Sequence, residues 1–314
     1  MTENAIELNG LSKTYRSVEA VSGLHLHVPA GTVYGFIGPN GAGKTTVMRM
    51  LLGLVRPTSG TGRLLGRPLG DPAALRRTGS LVESPAFYPY LSGRRNLELL
   101  GRYVGAAPAE IRRLLELVAL EQAADSRYRT YSLGMKQRLG VAAALLGEPE
   151  LLILDEPANG LDPAGVAVMR DMLRALGDSG RTVLLSSHLL DEVAQICDRV
   201  AILDTGRLLA DGTLAEVRSA CGPGQRVVIR AEPLADAARL VRGLPGVAEV
   251  AAHPDRLELT MDPAGAPDVT RALVQAGIAV HEVSVTGPSL EQAFLQLTSG
   301  ISSADRAKSA EVCT

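Results

Sequence analysis

Nine consecutive residues constrain this chain more than any others: Gly38-Pro39-Asn40-Gly41-Ala42-Gly43-Lys44-Thr45-Thr46. They follow an apolar run at 33–37 and lead into a helix-compatible segment at 47–54. Strand, glycine loop and helix, in that order, let backbone N–H groups turn inward around phosphate oxygens. The helix adds about half an elementary positive charge at its N-terminus. In such a loop Lys44 reaches the β- and γ-phosphates and the Thr45 hydroxyl takes Mg²⁺. The full spacing behind a strand favours a nucleoside triphosphate over an ordinary glycine-rich turn.

A nucleotide loop needs carboxylates nearby, and the chain supplies a pair. The apolar run 151–154 ends in Asp155-Glu156-Pro157. A buried strand that delivers acids to its carboxyl end puts them where α/β folds keep ligand-contacting residues. Neighbours on an extended chain point to opposite sides, so the two acids need not share a role. Asp155 suits the oxygen shell of Mg²⁺, and Glu156 suits polarisation of an attacking water. A second buried run, 182–186, ends in Ser186-Ser187-His188, so His188 is expected at the same edge. Residues 131–148 open with a small polar loop and continue as an apolar helix. A capped helix N-terminus of that kind suits an anion, although in isolation the stretch reads as a capped buried helix.

The rest of residues 4–220 alternates short strands and helices, which argues for a mainly parallel α/β core. Tyr15 is compatible with a purine-stacking ring or with a surface tyrosine. His25 and His27 share one strand face and read as solvated. Phe87, Tyr88 and Tyr90 cluster between prolines, and we expect a loop that anchors another protein, with core filling as the alternative. Two amphipathic helices are expected over 92–103 and 108–120. Residues 221–225 read as a linker. Beyond them, 226–298 follow a β-α-β-β-α-β order, which is ferredoxin-like, and 299–314 read as a disordered tail.

Composition sets the outer limits. A net charge of −2 provides no overall basic field, and no nucleic-acid partner is expected. No apolar run approaches the ~20 residues that a membrane-spanning helix needs, so work on a membrane would require another chain. The three cysteines, Cys197, Cys221 and Cys313, are scattered without metal-ligand spacing and read as reduced thiols.

In combination these stretches resemble the nucleotide-binding subunit of ATP-binding cassette (ABC) transporters over residues 4–220. The glycine loop is similar to the Walker A motif and LLILDEP to Walker B, while Tyr-Ser-Leu-Gly-Met-Lys-Gln-Arg at 131–138 is similar to the signature sequence. Tyr15 matches the adenine-stacking aromatic, Gly160-Leu161-Asp162 the D-loop and His188 the switch histidine. Two departures stand out. Leu133 and Met135 replace the signature's Gly and Gln, and Glu83 stands where most members carry the Q-loop glutamine. Glu83, the Ser-Pro-x-Phe-Tyr-Pro-Tyr-Leu stretch after it and the C-terminal Pro288-to-Thr298 segment resemble the bacitracin- and daunorubicin-type exporters.

The resemblance implies a P-loop cassette with a RecA-like core, a helical subdomain near 86–148 and a ferredoxin-like C-terminal domain. It implies ATP and Mg²⁺ as ligands. Tyr15, residues 38–46, Glu83, Ser132, Gly134 and Asp162 would contact ATP; Thr45, Glu83 and Asp155 would hold the metal. Lys44, Glu156 and His188 would be catalytic. It also implies a homodimer closing over two ATP molecules and a multi-span permease docking near residues 83–90. The chain would then sit peripherally on the cytoplasmic face of the cell membrane and power export of a drug, antibiotic or lipid-like compound. The alternative is a soluble, nucleotide-gated ABC protein with a regulatory role. A GTPase or kinase reading lacks a guanine-selecting Asn-Lys-x-Asp and leaves the signature unexplained.

Overall fold

The computed structural model describes residues 4–82, 86–220, 226–286 and 290–299. Glu83, the linker at 221–225 and residues 300–314 of the expected 299–314 tail lie outside them, whereas Ser299 closes a helix. The chain divides into two compact units, the first running to Leu214 and the second beginning at Ala215.

The first unit opens with two long strands, β1 (Asn4–Tyr15) and β2 (Val18–Pro29), paired antiparallel. Apolar residues alternate along both: Ile6, Leu8, Leu24, Leu26 and Val28 are buried, while His25 and His27 face solvent as their spacing predicts. Each buried aliphatic side chain contributes about 1.5–3 kcal/mol. β1 continues through bulges, carrying Tyr15 to its end. Next come β3 (Val33–Ile37), α1 (Lys44–Leu51), β4 (Ser59–Leu64), β5 (Arg67–Pro68), α2 (Pro72–Leu75) and β6 (Thr78–Leu81).

The helical portion holds α3 (Gly93–Val104), α4 (Pro108–Leu117) and α5 (Leu133–Ala144), which pack on one another. Ser92 caps α3 by accepting the Arg95 N–H. The core then resumes with β7 (Leu151–Leu154), α6 (Pro163–Asp178), β8 (Thr182–Ser187), α7 (Leu190–Ile196), β9 (Arg199–Asp204) and β10 (Arg207–Thr213).

Two sheets result. One is antiparallel, in the order β2-β1-β4-β5; the other runs β10-β9-β3-β8-β7-β6 and is parallel except for β10. The mainly parallel core is thus present, and the first strands form an antiparallel sheet of their own. β3, β7 and β8 are buried along their whole length, which is why they read as continuous apolar runs. Because β3 and β7 both flank β8, their carboxyl ends deliver residues 38, 155 and 186–188 to one edge.

α8 (Leu214–Ala220) spans the division between the units. The second unit continues with β11 (Arg226–Glu232), α9 (Leu234–Val241), β12 (Val247–Ala252), β13 (Leu257–Met261), α10 (Ala266–Gln275), β14 (Ala279–Thr286) and α11 (Leu290–Ser299). Its antiparallel sheet has the order β12-β13-β11-β14, which with the two crossover helices is the ferredoxin-like arrangement predicted. Val227, Ile229, Leu257 and Leu259 form a core with Val241 of α9 and Leu273 of α10. On β13, Glu258 accepts from Arg226 and Arg256. Against the opposing cost of its partial burial, these guanidinium bonds hold its carboxyl below the usual range.

Candidate active site

The loop between β3 and α1 turns on Gly43, whose φ of 97° is natural only to glycine. A side chain there would also meet the Ala20 carbonyl of β2 at 2.6 Å. α1 starts at Lys44, three residues earlier than the predicted 47, and no side chain caps its first turn. Lys44 is buried at 6% exposure. Its Nζ donates to the carbonyls of Gly38 (2.7 Å) and Pro39 (3.2 Å) and lies 3.4 Å from Glu156 Oε1. A buried ammonium held by loop carbonyls and one carboxylate is available for exchange onto phosphate oxygens.

The two acids face different partners. Asp155 Oδ2 accepts the Thr45 hydroxyl at 2.7 Å, and Oδ1 accepts that of Ser186. A hydroxyl beside a single carboxylate is a hard-oxygen pair suited to Mg²⁺, which takes its remaining ligands from phosphate and water. Glu156 turns the other way, with Oε2 2.8 Å from His188 Nδ1. An ionised carboxylate only accepts, so Nδ1 carries the proton in this pair. Glu156 has a φ of 47°, a left-handed conformation that costs a non-glycine residue about 1–2 kcal/mol. Its N–H donates to Ser186 Oγ at 2.8 Å. Sequence reasoning assigned Ser186 no role; the available signal was a pair of serines closing a buried strand.

Other candidates make their contacts with residues outside this cluster. Ser132 is the N-cap of α5 and accepts the Met135 N–H at 3.3 Å. Asp162 is the N-cap of α6 and accepts the Gly165 N–H. The two helix starts meet through apolar contacts: Leu133 lies over Gly160, and Leu161 over Gly134. Arg138 ties α5 to the end of α4 by donating to the Val118 and Ala119 carbonyls, and burial pushes its guanidinium below the ordinary value. Among the described residues, no hydrogen bond or ion pair joins Ser132 or Gly134 to the glycine loop.

Tyr15 lies at the end of β1 with Lys13 Nζ 4.9 Å from its ring centre, and that Nζ also donates to the Arg56 carbonyl. The aromatic cluster divides. Tyr88 and Tyr90 are exposed, whereas Phe87 is half-buried with its ring edge-to-face against Tyr128 at 5.1 Å. Phe87 thus packs on its own chain, which is the core-filling alternative, while Tyr88 and Tyr90 do not. Among the described residues no helix is long and apolar enough to cross a membrane.

Comparison with known proteins follows the same division. The ABC transporter family model matches residues 21–159, and the model for the DrrA1-3-like ATP-binding protein C-terminal domain matches 212–298. The daunorubicin resistance ATP-binding protein DrrA3 of Streptomyces coeruleorubidus is 41% identical, covering 95% of this chain and 97% of its own. The bacitracin transport ATP-binding protein BcrA of Enterococcus faecalis is 43% identical, covering 68% of this chain and 71% of its own. Among solved structures, an ATP-binding subunit of an ABC transporter aligns with a TM-score of 0.63 at 32% identity, over 69% of this chain and 92% of that one.

Proposed function

This chain belongs to the ATP-binding subunits of ABC transporters, in the group of the daunorubicin and bacitracin proteins, and from that premise we propose that it hydrolyses ATP to drive efflux through a separate membrane permease. The observation that carries this reading is the convergence of Lys44, Thr45, Asp155, Glu156 and His188 at the carboxyl ends of β3, β7 and β8.

Residues 38–46 hold the triphosphate, with Lys44 leaving its loop carbonyls for the β- and γ-oxygens. Thr45 and Asp155 would hold Mg²⁺, whose charge would offset the charge developing on the phosphates. Glu156 accepts the proton of the attacking water, and His188 orients Glu156 through Nδ1. Tyr15 stacks on adenine. Glu83 is the further metal and nucleotide contact that the family pattern suggests.

Ser132, Gly134 and Asp162 act on the nucleotide of a second copy, so that two chains close head to tail over two ATP molecules. Among the described residues Ser132 and Gly134 make no hydrogen bond to the glycine loop of their own chain, which supports this reading, since one copy then owns half of each chamber. ATP favours the closed pair because it contacts both halves only there. The permease docks near residues 83–90, with Tyr88 and Tyr90 as its exposed anchors. The cassette is residues 4–220 and the accessory domain 226–298, and the assembly lies on the cytoplasmic face of the cell membrane.

Glu156→Gln tests the assignment. The variant is expected to bind ATP normally, to lose about a hundredfold or more in turnover, and to accumulate as a nucleotide-bound dimer by light scattering. Full turnover would remove Glu156 from the role of base. A strictly monomeric variant, saturated with magnesium nucleotide, would remove the shared chamber.

A further inference from the structure

Ser186 is completely buried in β8, between Leu184 and Leu185 on one side and the turn that carries His188 on the other. A buried hydroxyl has one proton to donate and two lone pairs, and it is costly unless they find partners. Here the proton goes to Asp155 Oδ1, and a lone pair takes the Glu156 N–H. Sheet register explains the meeting. Leu154 of β7 pairs with Leu185 of β8, so the next residue on each strand, Asp155 and Ser186, comes level where the sheet ends.

The consequence for Asp155 is geometric. One carboxylate oxygen is taken by Ser186 and the other by Thr45, so the carboxylate plane is fixed before any metal arrives. The consequence for Glu156 is conformational. Its left-handed backbone sends its side chain toward Lys44 and His188, and the Ser186 bond anchors that turn at its N–H. The adjacent Ser187 does something different, accepting the Leu189 N–H at 2.9 Å.

We propose that Ser186 is a positioning residue for hydrolysis, its single hydroxyl setting both the metal-binding plane of Asp155 and the backbone turn that aims Glu156. The proposal rests on the ATPase reading and names a residue that reading does not require. Outer-shell partners of metal ligands are worth about tenfold to a hundredfold in metal affinity or activity.

The test uses the full chain with Ser186→Ala and Ser186→Thr. Binding of a fluorescent ATP analogue is titrated with Mg²⁺ and repeated in EDTA, beside steady-state turnover and thermal melting. In Ser186→Ala, half-maximal Mg²⁺ should rise and turnover fall, each by about tenfold or more, while metal-free nucleotide affinity stays at the wild-type value. Ser186→Thr, which keeps the hydroxyl, should recover both. If the alanine chain does not fold, Ser186→Cys carries the same comparison with a weaker donor. Wild-type Mg²⁺ dependence and turnover in Ser186→Ala would overturn the proposal, as would equal loss of metal-free binding and melting temperature in both variants. Failure of the wild-type chain itself to bind magnesium nucleotide would instead overturn the ATPase reading.

Discussion

Two helices of the first unit begin where an anion is expected, and they begin differently. α1 follows Gly43, in a left-handed conformation, and no side chain accepts its first N–H groups. α5 follows Ser132, in an extended conformation, whose hydroxyl accepts the Met135 N–H. Beside α1 stand a buried lysine, a hydroxyl–carboxylate pair and a glutamate–histidine pair. Beside α5 stand a capping hydroxyl and the apolar contact with Gly160 and Leu161. A helix start left without an internal cap and surrounded by charge is built for a ligand of its own chain. One that caps itself and carries no carboxylate, as α5 does, can assist a reaction only when the rest arrives from elsewhere.

The comparison breaks most readily at Lys44. Lys44→Ala should lower ATP affinity about a hundredfold, the scale of two charge-assisted hydrogen bonds, as read by titration with labelled nucleotide. Normal affinity would mean that the α1 site does not depend on its lysine, and the contrast would fail. Ser132→Ala tests the other helix. Its loss should cost about 1 kcal/mol in melting experiments and about tenfold in turnover, while ATP binding by the isolated monomer is unchanged. Equal loss of monomer binding would make α5 part of the same-chain site.

Effects on stability alone are expected where the two helix starts α5 and α6 touch. Gly160 has a φ of 74°, and a side chain there would lie 2.6 Å from Leu133 Cδ2. Gly160→Ala should therefore destabilise by about 1–2 kcal/mol, measured by thermal melting. Leu133 is 55% exposed, so Leu133→Gly should cost no more than about 1 kcal/mol, the glycine penalty in a helix. A larger loss would assign Leu133 to packing and remove the contrast between an open start and a self-capped one.

Much of the site was legible because its chemistry is local in the chain. The glycine loop, the acid pair at 155–156 and His188 each follow an apolar strand directly, so a linear reading reaches them. The Tyr88–Tyr90 exposure was legible from flanking prolines, but the position of Phe87 was not, because its partner Tyr128 lies on a distant segment. α7 went unseen because it is a single short element after the histidine, where periodicity has too few turns to register. The first strands were visible as apolar runs, yet nothing local announces that they leave the parallel core and pair among themselves.

From the residues alone came the nucleotide loop, the alternation of a parallel α/β core, the ferredoxin-like order of the second unit and the family to which they point. These are set by near-neighbour physics: glycine conformations, apolar period and the placing of acids after buried strands. Only the tertiary structure decided that Lys44 is held by Gly38, Pro39 and Glu156, that Ser186 joins the two acids, and that Leu133 rests on Gly160. Those pairings depend on strand order and register, and a parallel sheet brings together residues that stand 30 or 110 positions apart in sequence.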